Sequence, residues 1–237
     1  MLAPAPSTQA LPDPAPEPWS ALALIPLAAT AAYYLLPEGL QAHWLIQFSP
    51  QLLAYLALAV WAFHNRPLPP RLGLQRHKLV PGLRWGALIG LALGTLNTLV
   101  ILQVVPAMGH DIAFLQDTPH ARIPLFLMVP WFICAIAAFV EINFRGFLLG
   151  RLAVLESTYL PTARHRWPLA LFMSTLAFSF DPFMVATFRH LHWIAVWDGL
   201  IWGLVWLKTR NLYLTMIAHA IEVLILYLAV RAALMSG

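Results

Sequence analysis

The chain is short of charge. Asp, Glu, Lys and Arg together make up only 10% of its 237 residues, while 60% are apolar and the mean hydropathy is +0.72. Soluble globular domains carry about 25% charged residues. The scarcity excludes that class and leaves an all-α polytopic transmembrane helical bundle. Cysteine is nearly absent: Cys134 stands alone, so no intramolecular disulfide can form. It lies in an apolar run without an electropositive neighbour in the sequence, which fits a packing residue better than a nucleophile. No phosphate-binding glycine loop, dinucleotide fingerprint, HExxH or GxSxG is present, which disfavours soluble cofactor enzymes. The formal charge of +4 has no soluble basic domain to carry it. Nucleic acid is therefore not an expected partner, and the charge reads as topology information.

The first eighteen residues, "MLAPAPSTQALPDPAPEP", hold no Lys or Arg. Their Pro/Ala-rich composition predicts a disordered tail over 1–18. The basic start of a signal peptide is missing, so the membrane domain runs from 19 to 237. Apolar runs of membrane length fall at about 19–36, 45–63, 83–106, 122–144, 168–187, 193–207 and 212–231. Seven spans are expected. The fifth is broken near Asp181-Pro182 and the sixth is short, so the count is open by one, to eight. Arg66, Arg71, Arg76, Lys78 and Arg84 cluster in one loop. Arg145, Arg151, Arg164 and Arg166 form a second group, and Lys208 and Arg210 a third. A cytoplasmic N-terminus puts all eleven on the inner side, against Arg122, Arg189 and Arg231 outside. Gly82, Gly86, Gly90 and Gly94 repeat every fourth residue, and the pairs Gly146/Gly150 and Gly199/Gly203 echo them. Such spacing aligns small residues on one helix face, where a second backbone can approach.

A few polar residues sit where lipid should exclude them. A charge at the bilayer centre costs about 2.5–3.5 kcal/mol on insertion scales, which marks it for function by default. In "FVEINFRGF", Glu141 and Arg145 are four apart on one helical face and can pair. They are either a structural ion pair or a carboxylate held ionised to take a proton from water. Asn143 falls about 200° around the helix from Glu141 and is expected to face another neighbour. In "LTMIAHAIEVLIL", His219 and Glu222 share a face three residues apart. Asp181, in "LAFSFDPFM", fits a turn or helix cap, although its aromatic neighbours suggest burial. His190 and His192, with Asp198 further along "TFRHLHWIAVWDGLIWG", fit either a zinc site or an interfacial belt with Trp193 and Trp197. His110, Asp111, Asp117 and His120 read as a solvated outer loop.

Three segments resemble the CPBP family, the CAAX prenyl endoprotease and bacteriocin-processing-like (Abi) intramembrane proteins. They are "EINFRGFLLGRL", "AFSFDPF" about 35 residues later, and "GLIWGLVWLKTRNLYLTMIAHAIE". "LGLQRHKLVPGLRWGALIGLALG" looks like the family's lead-in, so the resemblance covers about 70–231. It implies the motifs E-E-x-x-x-R, F-x-x-x-H and H-x-x-x-N. A glutamate would activate water, while histidines and an asparagine would polarise the carbonyl and hold the oxyanion. This sequence departs at three places. Val140 stands at the first glutamate, Asp181 or Pro182 at the second-motif histidine, and Val223 at the asparagine, with Glu222 one residue earlier.

The favoured expectation is a divergent intramembrane endopeptidase of the inner membrane of a bacterium. Glu141 would be its base, with Arg145, His219, Asp181, Glu222 and one of His190 or His192 rebuilding the remainder. Glu141, Arg145, Asp181, His219 and Glu222 would then converge on one polar cavity. The substrate would be a membrane-associated or lipidated peptide in the lipid bilayer. No cofactor is expected, with zinc at His190 and His192 as the alternative. A second reading is a non-catalytic relative that binds a membrane peptide or acts as a scaffold. A third is a small-solute or proton-coupled transporter, which lacks the inverted repeats usual there.

Overall fold

The computed structural model describes residues 17–160 and 168–235. Residues 1–16 of the expected tail, Arg164, Arg166 and the side chain of His120 lie outside the described residues. The chain is 86% helical, with no strand among the described residues. Eight helices organise it: α1 Leu24–Tyr34, α2 Trp44–His64, α3 Leu79–Leu99, α4 Leu125–Tyr159, α5 Pro168–Ser179, α6 Pro182–Phe188, α7 Ile194–Thr209 and α8 Leu212–Met235.

Large apolar side chains cover the outside. Leu52, Leu56, Phe63, Val80, Leu88, Phe126 and Trp131 are all more than half exposed, whereas Glu141, Arg145, Asn97 and Asn143 are buried. A surface of Leu, Phe and Trp around a polar interior suits lipid as solvent. The chain is an integral membrane protein. Four helices are long and apolar enough to cross a bilayer, within Trp44–His64, Leu68–Ala107, Leu125–Tyr159 and Leu212–Leu234. The pair Pro168–Ser179 and Pro182–Leu191, bent by 51°, makes a fifth if counted as one span. The expected first and sixth spans are Ser20–Tyr34 and the 16-residue α7, both under the roughly 20 residues that a crossing needs. Length and apolarity thus support four or five spans rather than seven or eight.

The glycine repeat determines how α3 and α8 meet. A Cβ on Gly86 would stand 2.7 Å from the Leu214 carbonyl oxygen, and one on Gly90 would stand 2.5 Å from that of Ala218. On Gly94 it would be 3.0 Å from the Glu222 Cα. The two helices therefore touch backbone to backbone over three turns, as small residues allow in lipid. Gly146 and Gly150 of α4 instead make room for side chains, Leu72 and Leu212 in one case and Trp206 in the other. The apolar core lies beside them, around Trp61, Phe147, Leu149, Trp206 and Leu212.

Two stretches of α4 are wound as π-helix, Met128–Ile136 and Ile142–Leu149. Such windings are rare and recur at functional sites. The second begins immediately after Glu141.

Candidate functional site

The site is built from α4 and α8, which hold their polar residues against each other. Glu141 is fully buried on α4. His219 Nδ1, from α8, lies 2.9 Å from Glu141 Oε1. Arg145 Nη1, one turn along α4, lies 3.3 Å from the same oxygen. The Arg145 guanidinium also stacks over the Phe178 ring at 4.3 Å. A carboxylate between a guanidinium and an imidazole is one that lipid can hold ionised, because each partner offsets the cost of burying the charge. Glu141 Oε2 is left buried with no hydrogen-bond partner. His219 keeps an 18% exposed side chain. Trp202 of α7 sets an edge against the His219 ring at 5.3 Å. Thr215, one turn before His219, donates to the Leu212 carbonyl.

Glu222 lies one turn beyond His219 in a second polar group. Asn97 Nδ2 donates to Glu222 Oε1 and, at 3.1 Å, to both oxygens of Asp198. Asn97 Oδ1 accepts from Trp197 Nε1 at 3.0 Å. The close approach at Gly94 brings Asn97, three residues later on α3, to the Glu222 backbone level. Asn97 had one signal in the sequence: an amide inside an apolar span. Asp198 had only its neighbours His190 and His192 to flag it, and neither shares its surroundings.

Asp181 stands elsewhere. Its Oδ1 accepts from the backbone N–H groups of Phe183 and Met184, capping α6, and from Gln51 Nε2 at 2.8 Å. Asp181, Gln51 and Asn143 line a small cleft between α1, α2 and α4. Asn143 thus faces a different neighbour from Glu141, as expected from the turn angle. Glu141, Arg145 and His219 are together, Glu222 is in the adjoining group, and Asp181 is a cap beside the cleft.

Val140, at the first-glutamate position, packs against the apolar core, and Val223 packs near Met128, Ile133 and Tyr227. The His190 ring lies 5.4 Å from His110 and 5.3 Å from Phe114. His192 Nδ1 pairs with the Arg189 carbonyl, and its ring meets Phe180. The two histidines do not share a centre. Among the described residues, no three His, Cys, Asp or Glu side chains are grouped to hold a metal ion. Cys134 is exposed.

Residues 122–225 match the family model described as Rce1-like, the type II CAAX prenyl endopeptidase. The matched region contains Glu141, Arg145, Asp198, His219 and Glu222. It supports the assignment of this core to the CPBP family. No curated protein and no solved structure matches the chain.

Proposed function

We propose that this CPBP-family chain is an intramembrane endopeptidase of the CAAX type. It would hydrolyse a peptide bond of a membrane-associated or lipidated substrate. One observation carries the proposal: Glu141 is held between His219 and Arg145 inside the Rce1-like region.

The chemistry follows from the arrangement. A water brought to Oε2 of Glu141 loses a proton to the carboxylate as its oxygen adds to the scissile carbonyl. The carbonyl oxygen takes the negative charge, and the His219 ring beside Glu141 stabilises it. Glu141 then returns its proton to the amide nitrogen, and the carbon–nitrogen bond breaks. Arg145 orients the carboxylate and keeps it anionic before water arrives. With Val140 in the apolar core, Glu141 serves as the base alone. Glu222, with Asp198 and Asn97, supports His219 from the next turn of α8, and Asp181 fixes the bend between α5 and α6. In this reading the bundle lies in the inner membrane of a bacterium, with the N-terminus cytoplasmic by the distribution of Lys and Arg.

The test uses purified chain in nanodiscs with a panel of prenylated and transmembrane peptides, beside Glu141→Gln and His219→Ala. Cleavage by the wild type alone supports the proposal. Equal cleavage by all three sinks the residue assignment. Peptide binding without cleavage by any form points instead to a non-catalytic binder.

A further inference from the structure

The end of the Pro/Ala-rich tail is fastened to a cage of arginines that the proposed chemistry does not use. Glu17 Oε1 lies 2.8 Å from Arg71 Nη1, and Glu17 Oε2 lies 3.0 Å from Arg151 Nε. Its two oxygens therefore bridge two guanidinium groups. Ser20 Oγ donates to the Glu17 carbonyl at 3.0 Å, and Asn65 Nδ2 donates to that of Pro18 at 2.8 Å. Arg151 is 2% exposed and stacks over Trp61 at 4.2 Å. Its Nη1 is buried without a hydrogen-bond partner. Arg210 stacks over Trp206 at 4.4 Å, close enough for its charge to act on both Arg151 and Glu17. Burial pulls the Arg210 guanidinium down to about 10, with the charge of Glu17 acting the other way, so it stays cationic at neutral pH. Lys78 Nζ donates to the Arg210 carbonyl at 2.7 Å and ties this corner together.

Two guanidinium groups thus hold one carboxylate, and a third, Arg210, acts on it by charge. Arginine forks match phosphate as they match carboxylate, and a bridging pair of oxygens is what a phosphodiester presents. Lys78 adds a fourth basic group to this corner. Arg151 is ten residues along α4 from Glu141, about 15 Å. Basic pockets between helices recognise anionic headgroups. Arg71 is 30% exposed and gives the cage its open side.

We infer that Arg71, Arg151 and Arg210 form a binding site for a phosphate-bearing anion, a lipid headgroup or free phosphate, and that Glu17 occupies it as an internal stand-in. The phosphate displaces the Glu17 carboxylate and so releases the N-terminal segment from α4. No atom is transferred.

The experiment is a thermal-shift and native mass-spectrometry comparison of the full chain in phosphatidylglycerol and phosphatidylcholine nanodiscs, with inorganic phosphate as a separate arm. Phosphatidylglycerol should bind in preference to phosphatidylcholine. Glu17→Gln should tighten that binding, since the competitor is gone, and Arg71→Gln should weaken it about fivefold. Arg71 is the partly exposed member, so its loss tests the cage without emptying the core. A response to phosphatidylglycerol alone identifies the lipid, and a response to phosphate identifies the soluble ion. Equal affinity for both lipids with no response to phosphate overturns the inference. So does binding that Arg71→Gln leaves unchanged, or weaker binding in Glu17→Gln.

Discussion

Glu141 and His219 are 78 residues apart and on different helices, yet Nδ1 of one lies 2.9 Å from Oε1 of the other. The contact depends on α8 being held at the right height beside α4. That height is set from an adjoining face, where α3 touches the backbone of α8 at Gly86, Gly90 and Gly94. A packing motif and a chemical one are therefore two faces of the same helix.

Glu141→Gln should lower peptide hydrolysis by about 10²–10⁴, the usual worth of a positioned acid–base group, and leave peptide binding in place. Arg145→Ala should act differently. It leaves the Glu141 carboxylate buried without its guanidinium, which costs about 3–5 kcal/mol. Unfolding in detergent would show the Arg145→Ala loss of stability. A Glu141→Gln variant with wild-type turnover would remove Glu141 from the chemistry.

Gly90→Leu should destabilise the chain by about 1–3 kcal/mol through overpacking, because its Cβ alone already meets the Ala218 carbonyl at 2.5 Å. Hydrolysis should fall with it, as Ala218 adjoins His219. Gly39→Ala is the control, with nothing within 4 Å of its added carbon. Similar melting of both variants would argue against a tight α3–α8 seam.

Asp181→Asn should keep both stability and turnover, since Asn caps a helix about as well as Asp. Asp181→Ala should cost about 0.5–2 kcal/mol by losing the cap. If Asp181→Asn melts like wild type but no longer cleaves peptide, Asp181 has a chemical part that capping does not explain.

Asn97→Leu should cost about 1–3 kcal/mol, because Asp198 and Glu222 lose the amide that both accept from. Thermal unfolding of Asn97→Leu, alone and combined with Glu222→Leu, measures the dependence. Additive losses in the double variant would show that Asn97 and Glu222 act apart.

Much of this arrangement was legible in the residues themselves. The i, i+4 spacing of Glu141 and Arg145 states a pair before any fold is known, and α4 keeps that pair despite its π winding. The four-residue glycine repeat announces a close helix contact but not its partner, since spacing says which face is small and not what lies against it. His219 was visible as a histidine in lipid. Its distance to Glu141 was not, because it depends on the tilt and height of α8. Asn97 and Asp198 were harder. Each is one polar residue in an apolar run, and their significance lies in meeting Glu222 across three helices. Asp181 was ambiguous for the opposite reason: local turn chemistry and burial point to different roles, and the contacts of its Oδ1 supply the cap. Glu17 could not be separated from the tail by composition, because its partners Arg71 and Arg151 are distant in the chain.

The shortness of α7 has a consequence for the surrounding lipid. Sixteen residues rise about 24 Å, while the hydrocarbon layer is about 30 Å thick. A helix of that length stops short of the full hydrocarbon depth, so headgroups and water can come close to its ends. Asp198 lies in the second turn of that helix and Trp202 reaches His219 from its middle. Two residues of the polar groups thus stand on a helix shorter than the layer around it, and bilayer thickness is a variable to which the site is exposed.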